Sequence, residues 1–386
     1  MARGISGTGC FLILFGHFFL AAHALAETSF DWEKGFRAEL GELDLRIGAL
    51  LHADAVRFDE DITDLEATED FRRARLISRL NYAGFRFKAD YDFGVSDGWK
   101  SLLAEYRGVE RLRVIAGNHT APFSMEDNSS SSNLGFFERS AASALAPGLL
   151  NGVSVRRWGD SWTLSGGIFA DEFNDKARRT APGRSLIGRA TWTPLREEDS
   201  IVHLGIAHER RKIDSGEAVR LRARPSTRII DDRLVDTRSL DDADRLTTEG
   251  YELAWAHRNR LLQAEWYRSR VSASSADPRF DGYYLTVSTT VGAKDYRYSR
   301  SRGVFRRVRP KASWGALELS LRYAELDLTD DGVEGGRQIE RGIGVTWIHS
   351  RQLRVMGNIA RIEARPNRDG EDEEVDLFGL RLVMRL

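Results

Sequence analysis

Residues 71–93 read FRRARLISRLNYAGFRFKADYDF and decide the fold of the chain. Polar and apolar side chains alternate on both sides of a central Ala-Gly dipeptide, and most alternate positions carry a charge or an amide. Successive side chains of a β-strand point to opposite faces, so this period of two predicts two strands joined by a tight turn. Arg73, Arg75 and Arg79 fall on one face of the first strand and leave an apolar face opposite them.

The same alternation continues along most of the chain, in which we count sixteen strands. No run of about 18 apolar residues follows residue 26, so no helix is expected to span a bilayer. The strands are predicted near 42–52, 73–81, 85–93, 100–107, 111–117, 152–158, 162–171, 185–193, 200–208, 249–256, 261–269, 281–291, 314–326, 341–348, 352–362 and 375–386.

A soluble barrel or sandwich would show the same alternation with its apolar face inward, but three features favour an apolar face that meets lipid. The polar face is broad and highly charged, long and short connections alternate, and tryptophans and tyrosines gather at the short-turn ends of the strands, as they do at membrane interfaces. The long connections are expected at 55–70, 118–151, 172–184, 209–248, 270–280, 327–340 and 363–374, and the connection at 292–313 breaks the rule.

The cost of a lipid-facing charge decides which face of the strands points inward. An arginine in the middle of the bilayer costs roughly 2–4 kcal/mol in such barrels. Three arginines on one face of residues 73–79 therefore face the lumen, and a barrel of about sixteen strands is wide enough to hold water there. The predicted fold class is all-β, a transmembrane antiparallel β-barrel of about 16 strands.

The first 26 residues have the form of a secretory signal, with a charged start, an apolar core and a small-x-small cleavage site at Ala24-Leu25-Ala26. The predicted division is a signal peptide at 1–26 and one outer-membrane β-barrel domain at 27–386. The single cysteine, Cys10, lies in the signal, which excludes a disulfide framework in the exported protein.

Residues 111–151 contain a connection that is too long for a hairpin turn. It includes the runs SMEDNSSSSN and FFERS, and it carries apolar side chains such as Phe123, Phe136 and Phe137. Connections above about 12–15 residues are either disordered or functional. The apolar side chains predict that this one lies against another part of the molecule.

Motifs along the whole mature chain resemble the phosphate-selective porin O and P family. They are FRRARL at 71–76, PFSMEDNSS at 122–130, FFERS at 136–140, NGVSV at 151–155, HLGIA at 203–207, DGYYLTVS at 281–288, GVFRRVRP at 303–310, ALELSLRYAELDL at 316–328 and GIGVTWIHS at 342–350. The resemblance implies a sixteen-stranded outer-membrane barrel that forms a homotrimer. It also implies that the third extracellular loop, the connection in 111–151, is folded inward as the constriction of a pore that carries anions along a ladder of arginines.

The candidate site residues are arginines. The resemblance implies a constriction role for Arg139 of the ERS motif, and the other interpretation of this residue is an ion pair with Glu138 or a wall carboxylate. Strand parity adds further candidates for the anion path, namely Arg73, Arg75, Arg79, Arg113, Arg156, Arg189 and Arg322, and it puts Arg72 at the strand edge. Facing carboxylates could neutralise these arginines and leave a general pore. The chain also departs from the family in its few lysines and in ending at Leu386 rather than at an aromatic residue.

No catalytic, cofactor or metal site is predicted, so an enzyme is not expected. The histidines on strands, His52, His203 and His208, have no nucleophile or metal-ligand spacing near them. The net charge of −1 gives no attraction to nucleic acid.

The expected function is an outer-membrane porin of a Gram-negative bacterium, exported by a cleaved signal, that passes small hydrophilic solutes with a preference for anions such as phosphate. A general, weakly selective porin and a non-conducting barrel that acts as a surface receptor are the alternatives. The expected partners are outer-membrane lipid and lipopolysaccharide, further copies of the chain in a homotrimer, and small anions.

Overall fold

The computed structural model describes residues 27–31, 35–174, 181–273 and 277–386. The predicted signal peptide at 1–26 lies outside the described residues, as do parts of the connections predicted at 172–184 and 270–280. The described chain is mostly strand in one antiparallel sheet. Within these ranges no helix is long and apolar enough to cross a membrane.

Sixteen strands close into a barrel, because the last strand pairs with the first. The strands are β1 (Leu43–Glu60), β2 (Thr68–Tyr82), β3 (Phe85–Asp92), β4 (Gly98–Tyr106), β5 (Leu112–Thr120), β6 (Leu149–Trp158), β7 (Trp162–Ala170), β8 (Gly183–Arg196), β9 (Ser200–Ile213), β10 (Ala243–His257), β11 (Arg260–Ala273), β12 (Arg279–Val291), β13 (Ala316–Asp330), β14 (Val333–Ile348), β15 (Leu353–Ala364) and β16 (Glu373–Arg385). The closing pair runs from Leu50 opposite Arg385 to Glu60 opposite Val375. The predicted fold class and strand number are confirmed.

Two short strands, Glu27–Asp31 and Gly35–Leu40, precede the barrel and were not predicted. The second of them pairs with the first residues of β1, beginning where Phe36 lies opposite Ile47. The chain ends at Leu386, whose N–H donates to the carbonyl oxygen of Ala49. The second short strand therefore pairs the backbone groups at the start of β1 that β16 does not reach, which would otherwise form an open sheet edge.

The long connection predicted at 327–340 is wrong, since β13 and β14 are joined by the two-residue turn Asp331-Gly332. These two residues have φ of +46° and +81°, the left-handed conformation that two-residue hairpin loops require and that Asp-Gly dipeptides provide. The polar sequence suggested a loop. It forms strands instead because outward charges are paired there, for example Arg337 with Glu325 at 2.6 Å.

The outward face of the barrel carries a broad apolar belt. Ile168, Leu186 and Leu380 are each more than 60 % exposed. Trp192 and Trp255 are also exposed, and they stand at the ends of β8 and β10 that lead into short turns. Aromatic rings of this kind settle at lipid headgroups. We call this end of the barrel the short-turn end and the opposite one the loop end.

We expect Leu380→Arg to destabilise the barrel in a bilayer by roughly 2–4 kcal/mol, because it places a charge in the apolar belt. Leu380 lies near the middle of β16 and is 61 % exposed. Unfolding by guanidinium from lipid vesicles, followed by tryptophan fluorescence, measures the difference. The control Leu380→Met keeps an apolar side chain of similar volume and should cost less than about 1.5 kcal/mol. Equal effects of the two changes would contradict the lipid-facing position.

Candidate functional site

Residues 121–148, which we call the β5–β6 segment, fold into short helical turns between two barrel strands. The turns are α1 (Met125–Asn128) and two pieces of 3₁₀ helix, Ser131–Asn133 and Ala141–Leu145. The carboxylate of Glu265 on β11 accepts hydrogen bonds from the N–H groups of Met125 at 2.7 Å and Glu126 at 2.8 Å. The first N–H groups of a helix have no partner within it, so this wall carboxylate fixes where α1 begins.

Two phenylalanines of the β5–β6 segment lie against inward-facing wall residues. The guanidinium carbon of Arg322 on β13 is 4.2 Å from the centroid of the Phe136 ring, and that of Arg381 on β16 is 4.7 Å from the Phe137 ring. Such cation–π contacts gain strength where water is excluded. The N–H of Phe137 also donates to Asn358 Oδ1 on β15 at 2.7 Å. These two phenylalanines therefore pack on the wall from β13 to β16.

Glu138 is held by guanidinium groups from two strands beside the closure of the barrel. Arg72 on β2 donates from Nε and Nη2 to its two carboxylate oxygens at 2.6 and 2.9 Å, and Arg381 Nη2 donates to Oε1 at 3.1 Å. Burial by itself raises the pKa of Glu138, but Arg72 and Arg381 outweigh burial and hold that pKa well below its ordinary value. Charge-assisted, bidentate bonds of this kind are strong and directional.

A β-bulge in β2 explains why Arg72 faces inward. His52 of β1 lies opposite Arg73, but the next residue, Ala53, lies opposite Phe71, so Arg72 is an extra residue in the pairing. Both arginines are consequently buried, Arg72 with 2 % and Arg73 with 6 % exposure. Parity predicted Arg73 correctly as an inward residue. The placement of Arg72 at the strand edge was wrong, because an unpredicted bulge shifts the parity there.

Arg139, the predicted constriction residue, is bonded within the β5–β6 segment itself. Its Nε lies 2.8 Å from a carboxylate oxygen of Asp127, and its guanidinium donates to the carbonyl oxygens of Glu126, Asp127 and Ser129. The sequence predicted Glu138 or a wall carboxylate as the ion-pair partner of Arg139. The partner is instead Asp127, which belongs to the segment itself. Arg139 thus ties the two halves of the segment together, and 18 % of its side chain is exposed.

Glu126 connects α1 to the wall and to the second half of the segment. It lies 3.1 Å from Arg322 Nη2 and accepts from the N–H and Oγ of Ser140 at 3.2 and 3.1 Å. Arg322 also donates to the carbonyl oxygen of Glu138 at 3.0 Å. Burial raises the pKa of Glu126, and Arg322 opposes this shift. Arg322 therefore holds the segment in place through both terminal nitrogens of its guanidinium group, Nη1 and Nη2.

The connection between β12 and β13, residues 292–315, also packs on inward-facing side chains, which explains the length that the sequence left unexplained. It includes a small hairpin of Tyr298–Ser299 with Val304–Phe305. Arg189 on β8 forms a bidentate pair with Glu252 at 2.6 and 2.7 Å. It also donates to the carbonyl oxygens of Arg302 at 2.8 Å and Gly303 at 2.7 Å. Arg189 thus anchors this connection to the wall.

The connection between β9 and β10, residues 214–242, reaches the β5–β6 segment from the loop end. Arg228 Nε lies 3.7 Å from the carboxylate of Glu138. Gln338 on β14 donates to the carbonyl oxygen of Arg224 at 3.1 Å. Three connections therefore contact inward-facing residues, and Glu138 is a point where two of them meet.

The eight predicted arginines fall into two groups. Those with a carboxylate partner are Arg75 with Asp92 at 2.8 Å, Arg113 with Glu105 at 3.8 Å, Arg139 with Asp127, Arg189 with Glu252 and Arg322 with Glu126. Over the ranges that the structure describes, Arg73, Arg79 and Arg156 have none. Arg156 has Ser165 Oγ as a neutral acceptor at 3.3 Å, and the Nε of Arg73 is buried without a partner.

A cationic neighbour of Arg79 comes from the 292–315 connection. Burial lowers the pKa of the Arg302 guanidinium, the nearby Glu105 opposes this, and the nearby Arg79 adds to it. Like charges therefore gather on the side of the barrel formed by β2 and its neighbours. The charged neighbours of Arg302 are Arg79, Arg107 and Arg306 and one carboxylate, that of Glu105.

Sequence reasoning gave no site role to Glu126, Glu265 or Arg302, and it placed Arg72 at the strand edge. Glu138 of the FFERS motif was considered only as an ion-pair partner of Arg139. Its partner Arg72 is 66 residues away in sequence, and no local pattern could indicate that pair. In the part of the chain that the structure describes, no group of three or more histidine, cysteine, aspartate or glutamate side chains could hold a metal ion.

We expect Glu138→Gln to lower the free energy of unfolding by roughly 3–5 kcal/mol, because it leaves the buried Arg72 without its carboxylate. Arg381 would keep Asp54, to which it donates twice at 2.6 Å. Guanidinium unfolding in detergent micelles at neutral pH measures the loss. The exposed Glu66, in the connection after β1, provides the control Glu66→Gln, which should have no measurable effect. Equal stability of the two variants would contradict the role of Glu138.

The lowered pKa of Glu138 gives this stability difference a definite pH dependence. In the unfolded chain a glutamate has a pKa of about 4.3. A carboxylate whose folded pKa is lower contributes stability that is complete above the unfolded pKa and is lost as pH falls toward the folded pKa. The difference between wild type and Glu138→Gln should stay constant from about pH 8 to about pH 5 and shrink below about pH 4. A difference that shrinks between pH 7 and pH 6 would contradict these ion pairs.

Comparisons with known proteins agree with this architecture. The family model of the phosphate-selective porins O and P matches residues 45–386. An uncharacterized protein of Caulobacter vibrioides is 31 % identical over 298 residues, which are 70 % of this chain and 58 % of that protein. The alignment therefore spans little more than half the length of that relative.

Solved structures share the barrel at low sequence identity. The loop L8 deletion mutant of the outer-membrane protein OmpT of Vibrio cholerae has a TM-score of 0.58 and 13 % identity, covering 89 % of this chain and 100 % of that chain. The anion-selective porin from Comamonas acidovorans has a TM-score of 0.54 and 12 % identity, covering 89 % and 100 % of the two chains. OprB of Pseudomonas putida has a TM-score of 0.54 and 10 % identity, covering 89 % and 94 %.

At such identities these likenesses show the fold alone, which is that of outer-membrane porin barrels. The family model, in contrast, spans the barrel from the start of β1 to the last residue. The chain therefore belongs to the family of phosphate-selective porins O and P, whose members form channels in the outer membrane.

Proposed function

We propose that the protein is a passive channel for small hydrophilic solutes that prefers anions such as phosphate. The observation that carries the proposal is the set of path arginines without a carboxylate partner among the described residues, which are Arg73, Arg79 and Arg156. Fixed cations pass anions when each site attracts them and still releases them. A guanidinium group does not deprotonate near neutral pH, so the preference would hold over the physiological range.

Ion pairing separates the arginines that hold the structure together from those that act on solutes. The charge of Arg189 is balanced by Glu252, and backbone carbonyl oxygens occupy its other donors. Arg322 is occupied in the same way by Glu126 and by the carbonyl oxygen of Glu138. We assign these two arginines to anchoring. Arg79 and Arg156 keep an unbalanced charge and are the better candidates for the anion path.

We propose in addition that the β5–β6 segment narrows the passage. Its contacts with Glu265, Arg322, Asn358 and Arg381 support this proposal, because all four are inward-facing residues on the wall from β11 to β16. The open passage would then lie between the segment and the opposite wall, which carries Arg79 on β2 and Arg156 on β6. Arg139 would act by keeping the segment compact, not by contacting the solute.

A general, weakly selective porin is the second candidate function. The observation in its favour is that five of the eight path arginines have carboxylate partners. Such pairs have little net charge, so most of the passage could be nearly neutral. The ion selectivity of the open channel distinguishes the two candidates.

We expect the double variant Arg79→Gln/Arg156→Gln to reduce the permeability ratio of chloride to potassium several-fold, because it removes unbalanced cations from the passage. Reversal potentials of the purified protein in planar bilayers under a potassium chloride gradient measure this ratio, and added phosphate as a competitor tests its affinity. The control Arg268→Gln removes an outward arginine that is paired with Asp281 at 2.9 Å and should leave the ratio unchanged.

Three outcomes would count against parts of the proposal. An unchanged ratio in the double variant would remove Arg79 and Arg156 from the path. An unselective wild-type channel would favour the general porin. The absence of any ion current from purified, folded protein would contradict channel function and leave the receptor interpretation.

We also propose that residues 1–26 are removed on export and that the mature chain forms a homotrimer. The family assignment supports both, and one of the similar structures, OmpT of Vibrio cholerae, is described as a trimer form. Native mass spectrometry of protein isolated from outer membranes should find chains that begin at Glu27, in assemblies of three. A retained signal or a monomer would contradict the corresponding part.

A further inference from the structure

A row of cations crosses the outward face of three neighbouring strands at the loop end of the barrel. Arg184 on β8 lies directly opposite Lys212 on β9, and Lys212 lies directly opposite Arg245 on β10. All three are exposed, and so is Arg210, which faces outward on β9 two residues before Lys212. Like charges directly opposite each other destabilise a sheet, so this row is unfavourable unless an anion joins it.

Several outward arginines on other strands are balanced by carboxylates across the sheet. Arg268 lies opposite Asp281 and pairs with it at 2.9 Å, and Arg361 lies opposite Asp376 and pairs with it at 2.6 Å. In the described ranges no ion pair balances Arg184, Arg210, Lys212 or Arg245. Asp244 lines the same stretch of surface without pairing with any of them. The row differs from these paired positions because three cations lie in register on neighbouring strands without a carboxylate partner among the described residues.

A groove begins at the row and runs toward the middle of the barrel wall. Its upper part has a volume of about 880 Å³ and is lined below the cations by Val153, Ile168 and Leu186. A second hollow of about 690 Å³ continues along the same strands, where Gly166 lies opposite Gly188. Because neither glycine has a side chain, the outward surface of the sheet is recessed at this pair. The row of cations and the apolar groove therefore lie next to each other on one lipid-facing surface.

The row stands at the depth of lipid headgroups. Arg184 and Trp192 lie toward opposite ends of β8, about 27 Å apart along a strand that rises about 3.4 Å per residue. A strand tilt of about 40° reduces this to roughly 20 Å across the membrane, close to the apolar band of about 25 Å in such barrels. Trp192 marks one interface, so the row lies at the other, on the side of the long connections.

We propose that this groove binds a phosphorylated glycolipid of the outer leaflet, with phosphate groups on Arg184, Lys212 and Arg245 and an acyl chain in the groove past Leu186. Guanidinium groups bind phosphate oxygens bidentately, and each cation near an anionic lipid surface adds to the attraction. A lipid fits this surface better than a free anion, because the apolar groove continues directly from the cations.

The test compares lipid binding by purified, folded protein using native mass spectrometry in mild detergent. The probes are bisphosphorylated lipid A, the same lipid without its phosphates, and inorganic phosphate as a competitor. We expect the wild type to prefer the bisphosphorylated lipid. The triple variant Arg184→Gln/Lys212→Gln/Arg245→Gln should bind it roughly 10- to 100-fold more weakly.

A matched control removes the same number of outward cations from paired positions. The variant Arg268→Gln/Arg337→Gln/Arg361→Gln should bind the lipid as the wild type does. Heat-modifiable mobility in electrophoresis verifies that each variant is folded, and Lys212→Arg, which keeps the charge, should retain binding. These variants lie on the outward face, so the result is independent of channel selectivity.

Several results would overturn the proposal. Equal binding of the two lipid forms would exclude phosphate recognition, and displacement of the lipid by inorganic phosphate would assign the row to a free anion. Binding that depends on magnesium and survives the triple substitution would assign it to Asp244. Loss of the trimer in the triple variant would show that a second copy of the chain covers this face.

Discussion

The energetic cost of a charge in hydrocarbon is the constraint on which the rest of the structure depends. An arginine that faces lipid in the middle of a barrel wall costs roughly 2–4 kcal/mol, and basic residues, most of them arginine, number 57 in this chain. Among the described residues, Arg72 and Arg381 face the interior, and Arg268 pairs with a carboxylate on the outward face. Closure of β16 on β1 makes this possible, since it removes sheet edges and encloses a polar interior.

A second constraint applies to the inward-facing charges that three connections contact. A buried charge is costly unless it is paired and hydrogen-bonded. Arg72 and Arg381 meet this condition at Glu138, and Arg189 meets it at Glu252. The pairs are therefore also the points where the connections attach to the wall. Removing one partner would disturb a connection as well as an ion pair.

The same rule separates paired cations from unbalanced ones on both faces of the sheet. Paired arginines such as Arg268 stabilise the rim, and paired arginines such as Arg322 hold the β5–β6 segment. Unbalanced cations occur as a group on the inner wall, around Arg79, and as a row on the outer wall, around Lys212. We interpret both groups as positions where a bound or passing anion completes the charge balance: a solute inside and a lipid outside.

The sequence by itself determined the strand period, the number of strands and the inward direction of Arg73, Arg75 and Arg79, since alternation and the cost of lipid-facing charge are properties of short segments. It also located the β5–β6 segment as a connection that needs an apolar partner. Only the tertiary structure decided that Arg139 binds within its own segment, and that a bulge turns Arg72 inward to Glu138. Partner choice depends on which distant strands closure brings together, and no local pattern contains that information.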